Sequence, residues 1–203
     1  MADWDADSPQ LRRNLAAVAR AISESAERRD KPSLDLVRAW HRQTMSGLDV
    51  PAAEWVGRFR GEPGAEVDVV VGALEGAPYQ SVGAQLQDFE RRMQEVVAAL
   101  DAEYQDGTPL DADGVAAIVE LAGWAHAEWV RIHPFANGNG RTARMWANFL
   151  LQRFGLPPVM RLRPRPQGGD YAAAGARAMA GDWRPTVALI VRMLRALRPA
   201  PAS

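Results

Sequence analysis

The sequence predicts an all-α domain that carries one short β-hairpin. Apolar residues recur at helical spacing through most of the chain, and helix-capping or helix-breaking residues bound each such segment. A single stretch is instead rich in β-branched residues between two glycines. No internal repeat is evident, which excludes solenoid folds. With 203 residues the chain can form one domain with a sizeable core, and a second independent domain is not expected.

Two helices are expected before the β-branched stretch. Ser8 can cap the first helix and Pro9 suits its first position, so this helix should run from about Pro9 to Arg29. The second should begin near Leu34 and stop at Gly47, because glycine commonly follows the last turn of a helix. We therefore divide the chain into an N-terminal helical segment, residues 1–30, and a main domain, residues 31–203.

The β-branched stretch follows Glu66 and predicts a short strand. Its valines are Val67, Val69, Val70 and Val71, and they lie between the breakers Gly64 and Gly72. We expect this strand to be one half of a hairpin whose return strand lies near Pro78 to Ser81.

Further helices are expected in the rest of the chain. They should run from about Val82 to Ala102, Val115 to Arg131, Thr142 to Phe154, Tyr171 to Ala180 and Pro185 to Leu197. Asp111 and Asp113 are capping candidates for the helix that contains Val115, and Gly155 ends the one that contains Phe154. The C-terminal tail RPAPAS should be frayed.

The overall charge is nearly balanced, with 24 Lys plus Arg against 25 Asp plus Glu. This balance removes the electrostatic basis for general binding to nucleic acid or to a membrane surface, so any polyanion site has to be local. The sequence has no cysteine, which excludes disulfides, thiolate metal sites and cysteine nucleophiles. We find no signal-peptide pattern at its start and no apolar run of the roughly 18 residues that span a bilayer. We expect a cytoplasmic protein.

The stretch IHPFANGNGRTAR, from Ile132 to Arg144, places polar and glycine residues between the two most apolar predicted helices. Gly138 and Gly140 can adopt positive φ and let a ligand approach the main chain. The helix that follows adds free N–H groups and the positive end of its dipole, which together favour a bound phosphate. Arg141 and Arg144 lie one turn apart and can contact further phosphates, so a diphosphate or triphosphate is the predicted ligand.

His133 lies beside this phosphate site in the sequence. A histidine side chain can accept a proton at cellular pH, which makes His133 the candidate general base for an incoming hydroxyl. Pro134 and Phe135 should stiffen and anchor its loop. Taken singly, a Gly-Asn-Gly turn and a histidine before proline are more often structural. Their combination in one span predicts phosphoryl or nucleotidyl transfer.

The remaining conspicuous residues have structural interpretations. His126 should be a helix residue with a satisfied partner, and His41 should be partly exposed. The tryptophans beside the motif should pack in the core with their N–H groups bonded locally. They are Trp124, Trp129 and Trp146.

Residues His133 to Arg144 resemble the signature of Fic-domain proteins, HPFx(D/E)GNGRxxR, and match it at every fixed position but one. The resemblance extends from about Leu34 to Leu197. It implies a Fic-like helical domain that most often transfers AMP from ATP to a Ser, Thr or Tyr hydroxyl of a target protein. By position, His133 resembles the general base of that family.

The other motif residues also resemble family positions. Gly138, Asn139 and Gly140 resemble the anion nest around the α- and β-phosphates. Arg141 resembles a phosphate ligand, and Arg144 the arginine that meets the terminal phosphate. The hairpin between Val67 and Tyr79 resembles the family's flap, which binds the target segment by strand addition.

Asn137 is the position that departs from the signature, which has Asp or Glu there to bind the Mg²⁺ that bridges the nucleotide phosphates. An amide oxygen can coordinate a hard cation but brings no negative charge, so the metal should bind more weakly. Three outcomes stay open: slower AMP transfer, transfer of another group such as UMP or phosphocholine, or nucleotide binding without turnover. Gly138 and Gly140 argue against the Doc-type variant, which phosphorylates its target and lacks this glycine pair.

Many Fic proteins carry an inhibitory helix with the pattern (S/T)xxxE(G/N), whose Glu pairs with the second motif arginine. Ser23 and Glu27 have this spacing, although Arg28 stands where Gly or Asn is expected. Either Glu27 pairs with Arg144 and restrains activity, or Glu27 is simply solvated. The family resemblance also leads us to expect a regulatory or antitoxin partner.

Overall fold

The computed structural model describes residues 8–105 and 108–197. Its helices are α1 Pro9–Glu27, α2 Leu34–Met45, α3 Tyr79–Glu103, α4 Ala112–Ile132, α5 Asn139–Arg153, α6 Gly169–Met179 and α7 Arg184–Ala196, with a 3₁₀ turn at Ala53–Trp55. The strands β1 Val70–Val71 and β2 Leu74–Glu75 form one antiparallel hairpin. The predicted all-α class with a single hairpin is therefore confirmed. Within the described residues, no helix combines the length and hydrophobicity needed to cross a membrane.

The core is centred on α5, which packs against both α4 and α1. Trp129 of α4 and Trp146 of α5 are fully buried and meet edge to face, with ring centroids 6.0 Å apart. The predicted local bond exists for Trp129, whose Nε1 donates to Thr142 Oγ1 at 2.8 Å. For Trp146 that prediction is wrong, because the ring lies among other aromatic rings and its Nε1 has no acceptor among the described residues.

Helices α1 and α5 run in the same direction. At their C-terminal ends, Ser23 Oγ donates to Gln152 Oε1 at 2.7 Å. At the opposite end, Asn14 Nδ2 donates to Ser46 O, just after α2, and the neighbouring Met45 packs against Gly138 before α5. The start of α1 therefore lies toward the motif loop, and its end lies at the far end of α5.

The hairpin is tighter than the sequence analysis predicts. Its return strand is Leu74–Glu75 rather than the segment from Pro78 to Ser81, because the chain reverses directly after Val71 through Gly72, with φ +64. Pro78 instead precedes α3, and Asp68 Oδ1 accepts the Tyr79 N–H at 3.0 Å.

Helix ends differ from prediction by a few residues. Helix α5 begins at Asn139, three residues before Thr142, because Gly138 takes the left-handed conformation and forms the N-cap. Asp111 is confirmed as the N-cap of α4, accepting the Gly114 N–H at 2.7 Å. The expected fraying of Arg198–Ser203 falls outside the described residues.

Candidate active site

His133 ends α4 in a left-handed conformation, with φ 54 and ψ 57. Its Nδ1 lies 2.9 Å from the Val130 carbonyl oxygen. Because a carbonyl only accepts, Nδ1 carries the proton, and Nε2 is the acceptor of the neutral ring. Burial lowers the pKa of His133, the Val130 bond opposes this, and the charge of Arg60 lowers it further. The imidazole is therefore neutral at pH 7 with Nε2 unprotonated, as a general base requires.

The loop between α4 and α5 is held closed by two of its own residues. Asn139 Oδ1 accepts the Phe135 N–H at 2.8 Å, and Asn139 Nδ2 donates to Phe135 O at 2.7 Å. Phe135 is fully buried, which confirms its predicted anchoring role. Since the Asn139 side chain is committed to the loop, only its main-chain N–H is available to a ligand.

The N-terminus of α5 presents open main-chain donors. No side chain caps it, and the N–H groups of Asn139 and Gly140 have no acceptor among the described residues. The next two N–H groups, of Arg141 and Thr142, share the Gly138 carbonyl at 3.0 Å each. Two free donors at the positive end of a helix fit two of the three residues of the predicted anion nest, because the N–H of the third, Gly138, donates to Asn137 Oδ1.

The two motif glycines serve different purposes. Gly138 has φ +83, a conformation that favours glycine, and a Cβ there would lie 2.9 Å from Met45 Cε and displace the end of that side chain. Gly140 lies in the first turn of α5 without positive φ, so the predicted need for φ freedom is wrong there. A Cβ at Gly140 would meet only Arg144 Nη1, at 3.4 Å, so glycine keeps the space beside that guanidinium clear.

Arg144 is 4% exposed, and its hydrogen-bond partners within the described residues are neutral. Its Nη1 donates to Tyr171 Oη at 2.9 Å and its Nη2 to Leu162 O at 3.0 Å. Its Nε has no acceptor, and no carboxylate pairs with it, among residues 8–105 and 108–197. A buried guanidinium without a counter-charge is costly, and a bound anion would compensate it. Arg141, one turn earlier, is also buried.

His126 shares a hydrogen-bond partner, the hydroxyl of Tyr171, with Arg144. Its Nε2 is 3.2 Å from Tyr171 Oη, so the predicted partner exists, but its Nδ1 is buried without one in the described part of the chain. Burial lowers the pKa of His126 to about 3, and the charge of Arg144 lowers it in the same direction. His126 is therefore a neutral structural residue, and Tyr171 links it to Arg144.

His41 is buried, at 1% exposure, and the prediction that it is partly exposed is wrong. Its Nδ1 accepts the Gly57 N–H at 2.9 Å, so Nε2 carries the proton that it donates to Asn137 O at 3.1 Å. The ring also stacks on Phe135, with centroids 3.9 Å apart. Burial lowers the pKa of His41 to about 4. The sequence did contain a signal for this burial, because His41 lies four residues before Met45 and therefore on the same, buried face of α2.

Arg60 was not singled out from the sequence, yet its side chain is fully buried between the hairpin and the motif loop. Its guanidinium donates to the carbonyl oxygens of Val67, Ala77, Ile132 and His133. Nothing in the sequence separates Arg60 from Arg58, two residues earlier, because the acceptors come from distant segments.

Asn137 is a limited metal ligand. Its Oδ1 already accepts the N–H of Gly138, which leaves one lone pair and no charge for a cation. Among the described residues, no group of three or more His, Cys, Asp or Glu could hold a metal ion. The residues present fit Mg²⁺ only if nucleotide phosphates supply most of its ligands.

Glu27 is exposed at the end of α1 and makes no ion pair with Arg144 in the part of the chain that the structure describes. The contact between Ser23 and Gln152 places this end of α1 about two turns of α5, or ~12 Å, beyond Arg144. Because the two helices run in the same direction, the structure favours the alternative in which Glu27 is solvated over the one in which it pairs with Arg144.

The hairpin exposes apolar side chains. Val70, Val71 and Leu74 are 60%, 42% and 40% exposed. A two-stranded sheet also leaves unpaired main-chain groups along its edges. An extended peptide can bind to such an edge as an additional strand. Gly76, just after the hairpin, packs against His133: a Cβ there would lie 3.0 Å from His133 Cβ. The exposed hairpin and the candidate base are therefore neighbours.

A model of the Fic/DOC family matches residues 31–151, which include the hairpin, the motif loop and most of α5. The chain belongs to the Fic/DOC family. The similar proteins include the protein adenylyltransferase fic-1 of Caenorhabditis elegans, 32% identical over 163 residues, and the protein adenylyltransferase Fic of Drosophila persimilis, 46% identical over 72 residues. These alignments cover 80% and 36% of this Fic/DOC chain, but only 27% and 14% of the two relatives.

A solved structure of fic-1 residues 134–508 from C. elegans has the same fold. It superposes with a TM-score of 0.65 and 27% sequence identity, over 90% of this Fic/DOC chain and 47% of the other. The predicted Fic-like domain is thus confirmed.

Proposed function

We propose that this Fic/DOC chain is a protein adenylyltransferase that transfers AMP from ATP to a Ser, Thr or Tyr hydroxyl of a target protein. The adenylyltransferase names of its relatives support the reaction class. The observation that carries the proposal is that His133, neutral with Nε2 unprotonated, lies beside the open N-terminus of α5 and near Arg144, whose buried charge has no carboxylate partner within residues 8–105 and 108–197. His133 is the base, the N-terminus of α5 together with Arg144 is the anion site, and the motif loop joins the two.

In the proposed reaction, His133 Nε2 accepts the proton of the target hydroxyl. The hydroxyl oxygen forms a bond to the α-phosphorus of ATP, and the bond from that phosphorus to the bridging oxygen breaks, which releases pyrophosphate. The N–H groups of Asn139 and Gly140 bind phosphate oxygens and stabilise the developing charge. Mg²⁺, held by the phosphates and by Asn137, would neutralise further charge on the leaving group.

The arginines bind the outer phosphates in this proposal. Arg144 uses one N–H on Tyr171 and one on Leu162. Of the five N–H groups of a guanidinium, three then remain, including Nε–H, and these can meet a terminal phosphate. Arg141 lies one turn away and faces the same triphosphate in this proposal.

The target would bind along the hairpin from Val67 to Tyr79 by adding a strand, because its apolar tips are exposed and Gly76 lies against His133. The cysteine-free sequence suits the reducing cytoplasm, where we place this activity. A regulatory or antitoxin partner belongs to the same proposal and would act at the nucleotide site.

Two other functions have specific support. Asn137 lacks the charge that holds a metal, which favours a module that binds nucleotide without turnover. The α5 donors contact phosphates and not the base, which also permits transfer of UMP or phosphocholine.

The test is to incubate the protein with α-labelled ATP, GTP, UTP or CTP, Mg²⁺ or Mn²⁺, and a cell lysate. We expect label from ATP on protein, and His133→Ala should reduce it at least ~100-fold while ATP binding persists. Label from UTP alone would favour uridylyl transfer. No label from any nucleotide, with ATP bound, would overturn the enzyme in favour of the module.

A further inference from the structure

Arg60 makes an unusual set of contacts for a buried cation. Its side chain is fully buried, and its guanidinium makes four hydrogen bonds to main-chain carbonyl oxygens at 2.7 to 3.1 Å. Its nearest carboxylate, Asp68 Oδ1, is 3.6 Å from Nη1 and largely exposed. The contacts are therefore directed at specific main-chain positions rather than at a counter-ion.

These carbonyls belong to two different parts of the molecule. Ala77 and Val67 flank the hairpin and accept from Nη2 at 2.7 Å and Nη1 at 3.1 Å. Ile132 and His133 end α4 and accept from Nη2 at 3.0 Å and Nε at 2.7 Å. Arg60 therefore joins the base of the hairpin directly to the residue that carries the imidazole.

The end of α4 needs such a partner. The last carbonyl groups of a helix have no N–H donors within that helix. At the end of α4, His133 also adopts the left-handed conformation. Arg60 satisfies these carbonyls, and its charge suits the negative end of the helix dipole. Its own N–H donates to Pro134 O at 2.7 Å, which ties the next residue of the loop as well.

The shape of the guanidinium explains why this residue is an arginine. A planar fork can serve carbonyls on two sides at once, whereas a lysine has a single point of charge and three donors. Packing adds to the same connection, because a Cβ at Gly76 would lie 3.0 Å from His133 Cβ and 3.1 Å from Arg60 Nη2. The hairpin, Arg60 and His133 are thus in direct contact with one another.

We propose that Arg60 is a positioning residue that couples the hairpin to His133, so that the imidazole is held at a fixed distance from the strand that carries the target hydroxyl. This inference rests on the proposed adenylyl transfer. Arg60 touches neither the anion nest at Gly140 nor Arg144, which lie on α5. Its loss should therefore lower kcat and leave the KM for ATP unchanged.

The test compares Arg60→Lys with Arg153→Lys in the full chain. Arg153 is an equally buried arginine whose contacts, to Asp30 O and Asp101, lie at the other end of α5. We expect Arg60→Lys to lower kcat for AMP transfer at least tenfold with the KM for ATP within twofold. Arg153→Lys should leave both constants within twofold.

A second readout does not depend on activity. The chain has three histidines, so the imidazole Cε1–H region of an NMR spectrum contains three resonances, assigned by substitution. Arg60→Lys should shift the resonance of His133 and leave that of His126 in place. Gly76→Ala places a methyl group against His133 from the hairpin side while Arg60 is kept, so it should shift the same His133 resonance. This variant tests the contact independently if Arg60→Lys does not fold.

The outcomes separate this inference from the proposed function. A wild-type kcat in Arg60→Lys, or a His133 resonance unmoved by Arg60→Lys and Gly76→Ala, would overturn the coupling and leave adenylyl transfer standing. If wild-type protein transfers no AMP but both variants shift His133 alone, the coupling stands and the proposed function fails.

Discussion

The two ends of α5 each hold a buried arginine, and the surroundings of the two are opposite. Arg153 pairs with Asp101 at 2.6 Å and donates to Asp30 O at 2.8 Å. Arg144, among the described residues, donates to a hydroxyl and a carbonyl, those of Tyr171 and Leu162. Among the residues that the structure describes, a carboxylate lies beside Arg153 and none lies beside Arg144. The motif end of α5 therefore offers a charge that a bound anion can compensate.

The largest expected difference between the two ends is in stability. Arg153→Met removes a buried cation from an ion pair with Asp101, so the free energy of unfolding should fall by about 2–3 kcal/mol. Arg144→Met removes a buried charge that no carboxylate of the described residues compensates, so the free energy of unfolding should change by no more than about 1 kcal/mol. Urea unfolding of both variants measures this. Equal losses would mean that Arg144 is as structural as Arg153.

The positive end of α5 should also be sensitive to acid through His126. Its pKa is lowered to about 3 by burial and by Arg144, against about 6.5 in the unfolded chain. The unfolded state therefore takes up the proton first, and stability present above pH 6.5 is lost as the pH falls. Between pH 7.5 and 5 the protonation of this group should lower the free energy of unfolding by about 2 kcal/mol.

The check on His126 is a matched variant. Between pH 7.5 and 5, the free energy of unfolding of His126→Leu should fall by about 2 kcal/mol less than that of the wild type. Urea unfolding at the two pH values measures both. An identical pH dependence in the two proteins would contradict the assignment of His126 as a buried neutral residue.

A smaller effect should come from the metal position. Asn137→Asp adds a negative charge beside the phosphates, so AMP transfer at limiting Mg²⁺ should rise about tenfold, equivalent to ~1.4 kcal/mol. The measurement is a Mg²⁺ titration of the transfer rate, with Asn137→Ala as the control that should give no gain. Equal rates in Asn137→Asp and wild type would show that Asn137 does not limit metal use.

The smallest effect is expected at Glu27. Because this residue is exposed at the end of α1 and unpaired with Arg144 within the described chain, Glu27→Gly should change the transfer rate less than about twofold. Glu24→Gly on the same helix is the matched control. A several-fold rise confined to the Glu27 variant would restore its inhibitory role.

Local features were predictable from the sequence. Capping residues such as Ser8 and Asp111, and helical spacing, located the helices to within a few residues. The histidine and glycines of the motif located the site, because one continuous loop carries them. The return strand was placed too late, since a tight turn at Gly72 and a helix start at Pro78 compete for the same residues.

Long-range relations were not predictable. Arg60 meets carbonyl oxygens of Ile132 and His133, about seventy residues away, so its role needs the tertiary structure. The burial of His41 against Asn137 has the same origin. The two alternatives for Glu27 stayed open in the sequence because a spacing pattern does not contain the relative direction of two helices.

The central claim is that the motif end of α5 binds the phosphates of ATP through the buried charge of Arg144, beside which the described part of the chain places no carboxylate. Isothermal titration of wild type, Arg144→Met and Arg153→Met with ATP and Mg²⁺ tests it most directly. Loss of charge-assisted hydrogen bonds should weaken ATP binding about 10- to 100-fold in Arg144→Met, while Arg153→Met should bind ATP with wild-type affinity. Wild-type affinity for ATP in Arg144→Met would contradict the account.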